Sequence, residues 1–407
     1  MQALKIFLLA LAALVLAGCS SLERKNSAPD TQYMQAQIPD WPNVRYLIST
    51  KAGVTAMVND LVADQERLGR GVGSGKYLSL SGGGDNGAFG AGLLVGWSQR
   101  GTRPDFDLVT GVSTGALLAP FAYLGKDYDP VMTYVYTQTS PDQIYKMRWL
   151  LSVVTNDGIA DTAPLYDLIA KYVDADFLRK VAHEHQAKGR WLLIGTTNID
   201  AGMPVVWNMG KIASIGTPEA LDLFRKIMLA SASIPGAFPP VMFDVAVNGE
   251  TYHEMHVDGG VSAQVFLYPT AAAKRADAAG VMRNNKRDAY IIRNSRLDTD
   301  KEDVQRSTIS IVKRSISQLI QAQGVGDIYQ IYQTTQKDHV GFNLAFIGPD
   351  FKTTRKVEFD PDYMKALYQY GYDRALKGYP WAKTPPGLER TFDEDLRSKA
   401  TLTSSNQ

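Results

Sequence analysis

The stretch Lys76-Tyr-Leu-Ser-Leu-Ser-Gly-Gly-Gly-Asp-Asn-Gly-Ala-Phe-Gly-Ala-Gly92 decides how the rest of the chain is read. Tyr77 to Leu80 form a short apolar run suited to a buried strand, and Gly82, Gly83 and Gly84 break it. From Ala88 the pattern turns helical, with Leu93, Leu94 and Trp97 as a packing face. A strand, a glycine turn and a helix N-terminus gather backbone N–H groups around a negative charge. That charge is either the phosphate of a cofactor or an oxyanion that exists only during a reaction.

The next unit narrows the choice. Phe106–Thr110 is a second apolar run, and it leads into Gly111-Val-Ser-Thr-Gly115 and a helical stretch, Thr114–Leu124. In a G-x-S-x-G between strand and helix, the glycines allow a sharp turn that lifts Ser113 out of the packing. The helix that follows aims the positive end of its dipole at the serine. Farther on, Val245–Val247 and Tyr252–Val257 flank Asn248-Gly249 and predict a hairpin. The second strand ends in Val257-Asp-Gly-Gly260, which sets a carboxylate at a strand end beside open backbone. With a nucleophile present, the first glycine loop reads as an oxyanion hole. Its rival is the dinucleotide fingerprint: Gly82-x-Gly84-x-x-Gly87 fits, with Asp105 and Asp107 near the spacing of a ribose-binding acid.

Three ordered motifs, Ser-Gly-Gly-Gly-x-x-Gly at 81–87, Gly-x-Ser-x-Gly at 111–115 and Asp-Gly-Gly at 258–260, resemble those of the patatin-like phospholipase family. The proline-punctuated Ala232-Ser-Ile-Pro-Gly-Ala-Phe-Pro-Pro240 is similar to a recurring block there, so the resemblance spans roughly residues 77 to 270. It implies a patatin-like hydrolase of lipid acyl esters, phospholipids or lysophospholipids, working through a Ser–Asp dyad without histidine. Carried over, Ser113 is the nucleophile and Asp258 the base. Gly82, Gly83 and Gly84 form the oxyanion loop, and Gly87, Gly111, Gly115, Gly259 and Gly260 shape the motifs. No metal and no organic cofactor are implied. The chain departs from the family at Asp85-Asn86, where members often carry a basic residue before the last glycine. That puts any cationic help from this loop in doubt.

Composition sets the outer bounds. The chain has 407 residues, 45% of them hydrophobic, with 43 basic and 42 acidic side chains and a net charge of +1. Such a balance excludes a nucleic-acid binder, which needs a basic excess or stripe. A mean hydropathy of -0.17 argues against a polytopic membrane protein. At the N-terminus, Ile6 to Ala17 are unbroken apolar residues, too few to span a bilayer and suited to a signal peptide. Leu16-Ala-Gly-Cys19 resembles a bacterial lipobox, which implies removal of residues 1–18 and a diacylglycerol on Cys19. Cys19 is the single cysteine, so no intrachain disulfide can form. Ser20, where an inner-membrane retention signal has aspartate, points to the outer membrane.

The remaining chain is expected to divide as follows. Residues 19–75 comprise a tether to about residue 40, an amphipathic helix within Val44–Leu68 and a flexible Gly69–Gly75 joint. The core covers 76–270, with 127–173 an insertion or lid, strands at Trp191–Thr197 and Val205–Trp207, and a helix at Pro218–Ala230. The extension 271–384 carries strands at Ala289–Ile292 and Phe342–Ile347 and helices near 303–336 and 362–376; a polar tail follows over 385–407. Alternating strands and helices predict a three-layer α/β/α fold with a largely parallel sheet.

Among the histidines, His253 faces away from His256 and Asp258 on a strand, which argues against a metal site there. His183 and His185 fall in a charged segment expected to be exposed, and His339 leaves a Ser…Asp…His triad open. Arg293 and Arg296, near a strand end, read as a solvated loop or as cations facing anionic head groups. Two readings other than a hydrolase stand: a non-catalytic envelope lipoprotein that binds lipid or a partner, and a dinucleotide-dependent oxidoreductase.

Overall fold

The computed structural model describes residues 24–69, 75–147, 157–269, 286–298 and 303–388. The lipobox, Cys19, most of the Gly69–Gly75 joint, the middle of the 127–173 region and the tail beyond residue 388 lie outside these residues.

The centre of the fold is a mixed sheet of nine strands among the described residues. Along its main path run β1 (Arg45–Tyr46), β7 (Met203–Asn208), β6 (Trp191–Asn198), β3 (Leu108–Val112), β2 (Lys76–Leu80), β10 (Arg287–Arg296) and β11 (Val340–Ile347). From β6 to β11 every pairing on the path is parallel. β7 runs antiparallel to β6, and β1 antiparallel to β7. The hairpin of β8 (Val241–Val247) and β9 (Glu250–Asp258) joins through β9. Its turn, Asn248-Gly249, has positive φ at both residues (52° and 84°), as the Asn-Gly signal requires. A separate two-stranded ribbon pairs β4 (Lys146–Met147) with β5 (Ala160–Asp161).

Strands buried on both faces read as nearly continuous apolar runs, and alternate side chains here feed two different layers. Leu78, Leu80, Val109, Leu192, Ile194 and Ile292 join one core with the helices α2 (Gly87–Gln99), α3 (Thr114–Leu124), α6 (Ala175–Lys188), α8 (Pro218–Ser231) and α10 (Pro361–Leu376). α4 (Asp129–Gln138), α5 (Ala163–Tyr172) and α7 (Met209–Ile215) pack on the same side. The opposite residues, Tyr77, Ala289, Ile291, Phe342 and Leu344, meet Ile328 and Ile331 of α9 (Thr308–Lys337). Beside them Trp191 and Leu193 meet Met57 of α1 (Lys51–Leu68). This is the expected three-layer α/β/α arrangement.

One feature of the register positions the site. β6 carries β7 along one edge; on the other edge its residues 191–195 pair with β3, ending at Val112↔Gly195. The next residue, Thr196, pairs with Asp258 at the end of β9. β3 and β9 therefore abut C-terminus to C-terminus along β6. A Cβ on Gly259 would lie 2.3 Å from the Gly195 carbonyl oxygen, so only glycine lets the junction close.

Several expectations are corrected. The helix read within Val44–Leu68 starts at Lys51, because Arg45 and Tyr46 are drawn into the sheet against Trp207 and Val206. Residues 24–40 are not a tether: Arg24 binds Asp200, Gln37 bridges Ala246, and Ala28, Ala36 and Ile38 are buried. Their apolar residues are too sparse to show a period, yet each fills a gap. α6 and α7 were not anticipated. α6 is polar for most of its length but is capped at both ends, with Asp174 accepting from the Phe177 amide and left-handed Gly189 closing it. His185, read as exposed, is buried in α6 and meets the Arg190 carbonyl.

Candidate active site

Ser113 follows β3 and opens α3 with φ 55° and ψ −129°, a conformation costly for a residue with a Cβ. The turn is held from below: a Cβ on Gly115 would lie 2.2 Å from the Leu80 carbonyl oxygen, where the two parallel strand ends crowd. It is held from the side by Ser231, whose hydroxyl donates to the Gly195 carbonyl (2.6 Å) and accepts the Ser113 amide (3.0 Å). The remaining freedom of Ser113 is its hydroxyl, which donates to Asp258 Oδ2 at 2.6 Å across the β3–β9 junction. Asp258 Oδ1 accepts the Gly260 amide at 2.7 Å, so both carboxylate oxygens are occupied.

Both side chains are nearly sealed, each residue 6% exposed. Burial pushes the Asp258 carboxyl up to about 6, against the pull of the Ser113 hydroxyl and Gly260 amide, which favour the charged form. Among the described residues no cation contributes to that balance. A base with this proton affinity beside a hydroxyl at hydrogen-bond distance can take the serine proton during nucleophilic attack.

The glycine loop is more differentiated than the motif implied. Gly82 donates its N–H to the Gln264 carbonyl oxygen at 3.0 Å, so its amide is already spent and the reading of Gly82 as an oxyanion donor is corrected. Among the described residues no acceptor faces the amides of Gly83 and Gly84. Gly83 has φ 157° and lies so close to Asn294 that a Cβ would be 2.0 Å from its carbonyl oxygen, whereas Gly84 (φ 58°) borders open space. The Thr114 amide, at the first position of α3, is one of those a helix leaves unpaired.

Three supports of this loop carry no sequence signal. Asn294, within β10 just past its pairing with β2, donates to the Ser81 carbonyl and accepts the Gly90 amide. Gln264 joins the two glycine motifs, holding Gly82 through its backbone and the Gly260 carbonyl through Nε2 (2.8 Å). Gln264 is itself anchored, its amide donating to Asp327 of α9. The third support answers the departure at Asp85-Asn86. Asp85 is buried and accepts from Arg355 Nη1 (3.0 and 3.1 Å) and the Phe359 amide, while Tyr363 donates to Asn86. A cation does reach this loop, from the chain beyond residue 350.

Beside Ser113 opens an apolar cleft of about 550 Å³, its mouth included. Leu117, Val135, Leu165, Phe238, Phe359 and Met364 are among its walls. A second apolar space shares Leu117, Val135, Tyr136, Leu165 and Leu168 with it and runs on to Met228 and Tyr172. The described parts of 127–173 therefore line this space directly.

Other candidates are not brought to Ser113. Asp107 takes the Lys76 amide at the N-terminal ends of β2 and β3, with Asp105 beyond it. A ribose-binding acid belongs at the opposite edge, beside the glycines, so the dinucleotide reading fails on geometry. His339 precedes β11 and so lies at that same N-terminal edge, a strand's length from Ser113, which removes the triad. His256 is buried between Thr196 and Glu254, and His253 contacts Asp244 on the hairpin. Among the described residues no group of three metal-ligating side chains forms. Arg293 is 2% exposed against Gly324 of α9, not a loop cation, and Arg296 binds the Phe351 carbonyl and Asp298.

Residues 78–271 match the family model described as patatin-like phospholipase. Among solved structures, the crystal structure of VipD from Legionella pneumophila is similar with a TM-score of 0.34 and 10% identity, over 89% of this chain and 72% of that one. No curated protein matches.

Proposed function

We propose, from the match of residues 78–271 to the patatin-like phospholipase family model, that the protein hydrolyses acyl esters of membrane phospholipids or lysophospholipids through Ser113 and Asp258. The observation that carries this reading is the 2.6 Å hydrogen bond from the Ser113 hydroxyl, which lines an apolar cleft, to a buried carboxylate that no described cation pairs.

In the proposed first step Ser113 Oγ bonds to the ester carbonyl carbon as its proton passes to Asp258 Oδ2. The carbonyl π electrons become an oxyanion, which the amides of Gly83, Gly84 and Thr114 stabilise by preorganised donation. Collapse re-forms the carbonyl and breaks the bond to the alcohol, which leaves with the proton from Asp258. Water then attacks the acyl-serine, giving its proton to Asp258, and a second collapse releases the fatty acid and restores Ser113. The apolar cleft accommodates the acyl chain, whose burial contributes about 0.8 kcal/mol per methylene.

The Leu16–Cys19 lipobox supports an anchored protein in a bacterial envelope, most consistent with the outer membrane, where the site is held beside its substrate. Substituting Cys19→Ala is expected to release a chain held only by its acyl group. The activity is tested with a short-chain nitrophenyl ester on wild type and Ser113→Ala. Hydrolysis that vanishes in the variant is expected; equal rates in both would sink the serine-hydrolase reading.

A further inference from the structure

We propose that the N-terminal half of α9 is an interfacial docking arm that inserts one apolar stripe into an anionic lipid surface beside the active-site edge of the sheet. The inference rests on the reading of the protein as a lipid hydrolase but concerns a surface remote from Ser113.

The position of the arm follows from contacts along α9. At its C-terminal end, Arg287 at the start of β10 donates to the Asp338 carbonyl, which marks the N-terminal edge of the sheet. Asp327 holds Gln264, the residue that joins the two glycine motifs, and Gly324 packs on Arg293 near the other end of β10. Gln321 donates to the Asp298 carbonyl, past the last residue of β10. Everything N-terminal to Gln321 therefore lies beyond the sheet on the side where β3 delivers Ser113. At 1.5 Å per residue, Thr308 to Ile320 extend about 20 Å in that direction.

The chemistry of the arm is unlike a solvated helix. Ile311, Val312, Ile316, Leu319 and Ile320 are exposed by 51, 50, 51, 69 and 38%. Val312, Ile316 and Leu319, spaced i, i+4, i+7, share one stripe, and Ile320 borders it. Arg314, Gln318 and Gln321 lie on the far side by the same 100° step. From Val304 to Gly326 the sequence holds Arg306, Lys313 and Arg314 and no acidic residue. A cationic helix with an exposed apolar stripe lies in the plane of an anionic membrane interface. No described helix is long and apolar enough to cross a membrane. The arm is therefore matched to lying on a lipid surface, and it meets that surface at the edge where the cleft opens.

The test uses the full chain carrying Cys19→Ala, which removes the single native thiol and the acyl anchor together. An environment-sensitive fluorophore is attached at Leu319→Cys and, as a control, at the exposed hairpin position Glu250→Cys. Vesicles of phosphatidylcholine with phosphatidylglycerol are expected to shift the emission at 319 to the blue and leave 250 unchanged. Adding Ile316→Asp is expected to weaken the vesicle affinity at least tenfold, the scale of one buried aliphatic side chain. No shift with anionic vesicles, an equal shift with pure phosphatidylcholine, or a concentration-dependent shift without vesicles would each overturn the proposal. The last of these would mean that a second copy covers the stripe. Because the readout is emission, and the same chain can carry Ser113→Ala, it stands whether or not the hydrolase reading survives.

Discussion

Glu254 and Asp258 sit four residues apart on the same strand and are 4% and 6% exposed, yet their surroundings drive them in opposite directions. Burial alone would push Glu254 up, but the Arg45 guanidinium and His256 more than offset it and hold the carboxyl at about 2. Arg45 reaches it from β1 with both Nη atoms and also donates to the Ala36 carbonyl, tying the N-terminal segment to the hairpin. Among the described residues Asp258 has only a hydroxyl and one amide, and burial wins, leaving its carboxyl at about 6. The difference teaches that burial does not assign a role to a carboxylate; the neighbouring charge does. A paired carboxylate is an anchor, and an unpaired one whose proton affinity approaches neutral pH is a candidate base.

Four measurements would break or sharpen this contrast. The largest effect is expected at the unpaired member: Asp258→Asn lowers kcat on a soluble ester by about 10²- to 10⁴-fold, read by steady-state kinetics, while the chain stays folded. At the paired member the loss falls on stability. Arg45→Met strands a buried Glu254 and is expected to cost about 3–5 kcal/mol in denaturant unfolding. Adding Glu254→Gln to it should recover part of that loss.

The third measurement returns to Asp258→Asn, where function and stability oppose each other. Its carboxyl is raised from 3.8 to about 6, so its stabilising contribution is complete below 3.8 and is lost as pH rises through 6. Asp258→Asn removes that loss and is expected to raise stability above pH 6 by on the order of 3 kcal/mol, the gain fading toward pH 4 in melting curves. An unchanged or lowered melting temperature at pH 8 would argue that Asp258 is compensated by a charge it does not touch here. The smallest effect belongs to Arg355, whose side chain is 45% exposed beside Asp85. Arg355→Ala is expected to cost about 1 kcal/mol or less by the same unfolding assay.

The contrast also shows what a sequence can carry. Ser113, Asp258 and the motif glycines were legible because sharp turns and open backbone demand particular residues at particular spacings. The meeting of Ser113 with Asp258, 145 residues apart, was implied only by the family resemblance and by no pattern of the residues themselves. It depends on β3 and β9 sharing one edge of β6, which no local pattern encodes. Ser231, Gln264, Asn294 and Arg355 were missed for the same reason, since each acts through a partner distant in sequence. Glu254 and His256 were visible only as polar residues on a strand, and their meaning came from Arg45. The spent amide of Gly82 was invisible too, because three adjacent glycines read alike until Gln264 claims one of them.

The central claim, that an unpaired buried Asp258 activates Ser113, is tested most directly by the rate at which a fluorophosphonate modifies Ser113 as pH is varied. The account predicts that the rate in wild type climbs through a midpoint near 6, and that in Asp258→Asn the modification is slowed at least a hundredfold with that midpoint gone. Modification of Asp258→Asn at the wild-type rate, or with the same midpoint, would contradict it.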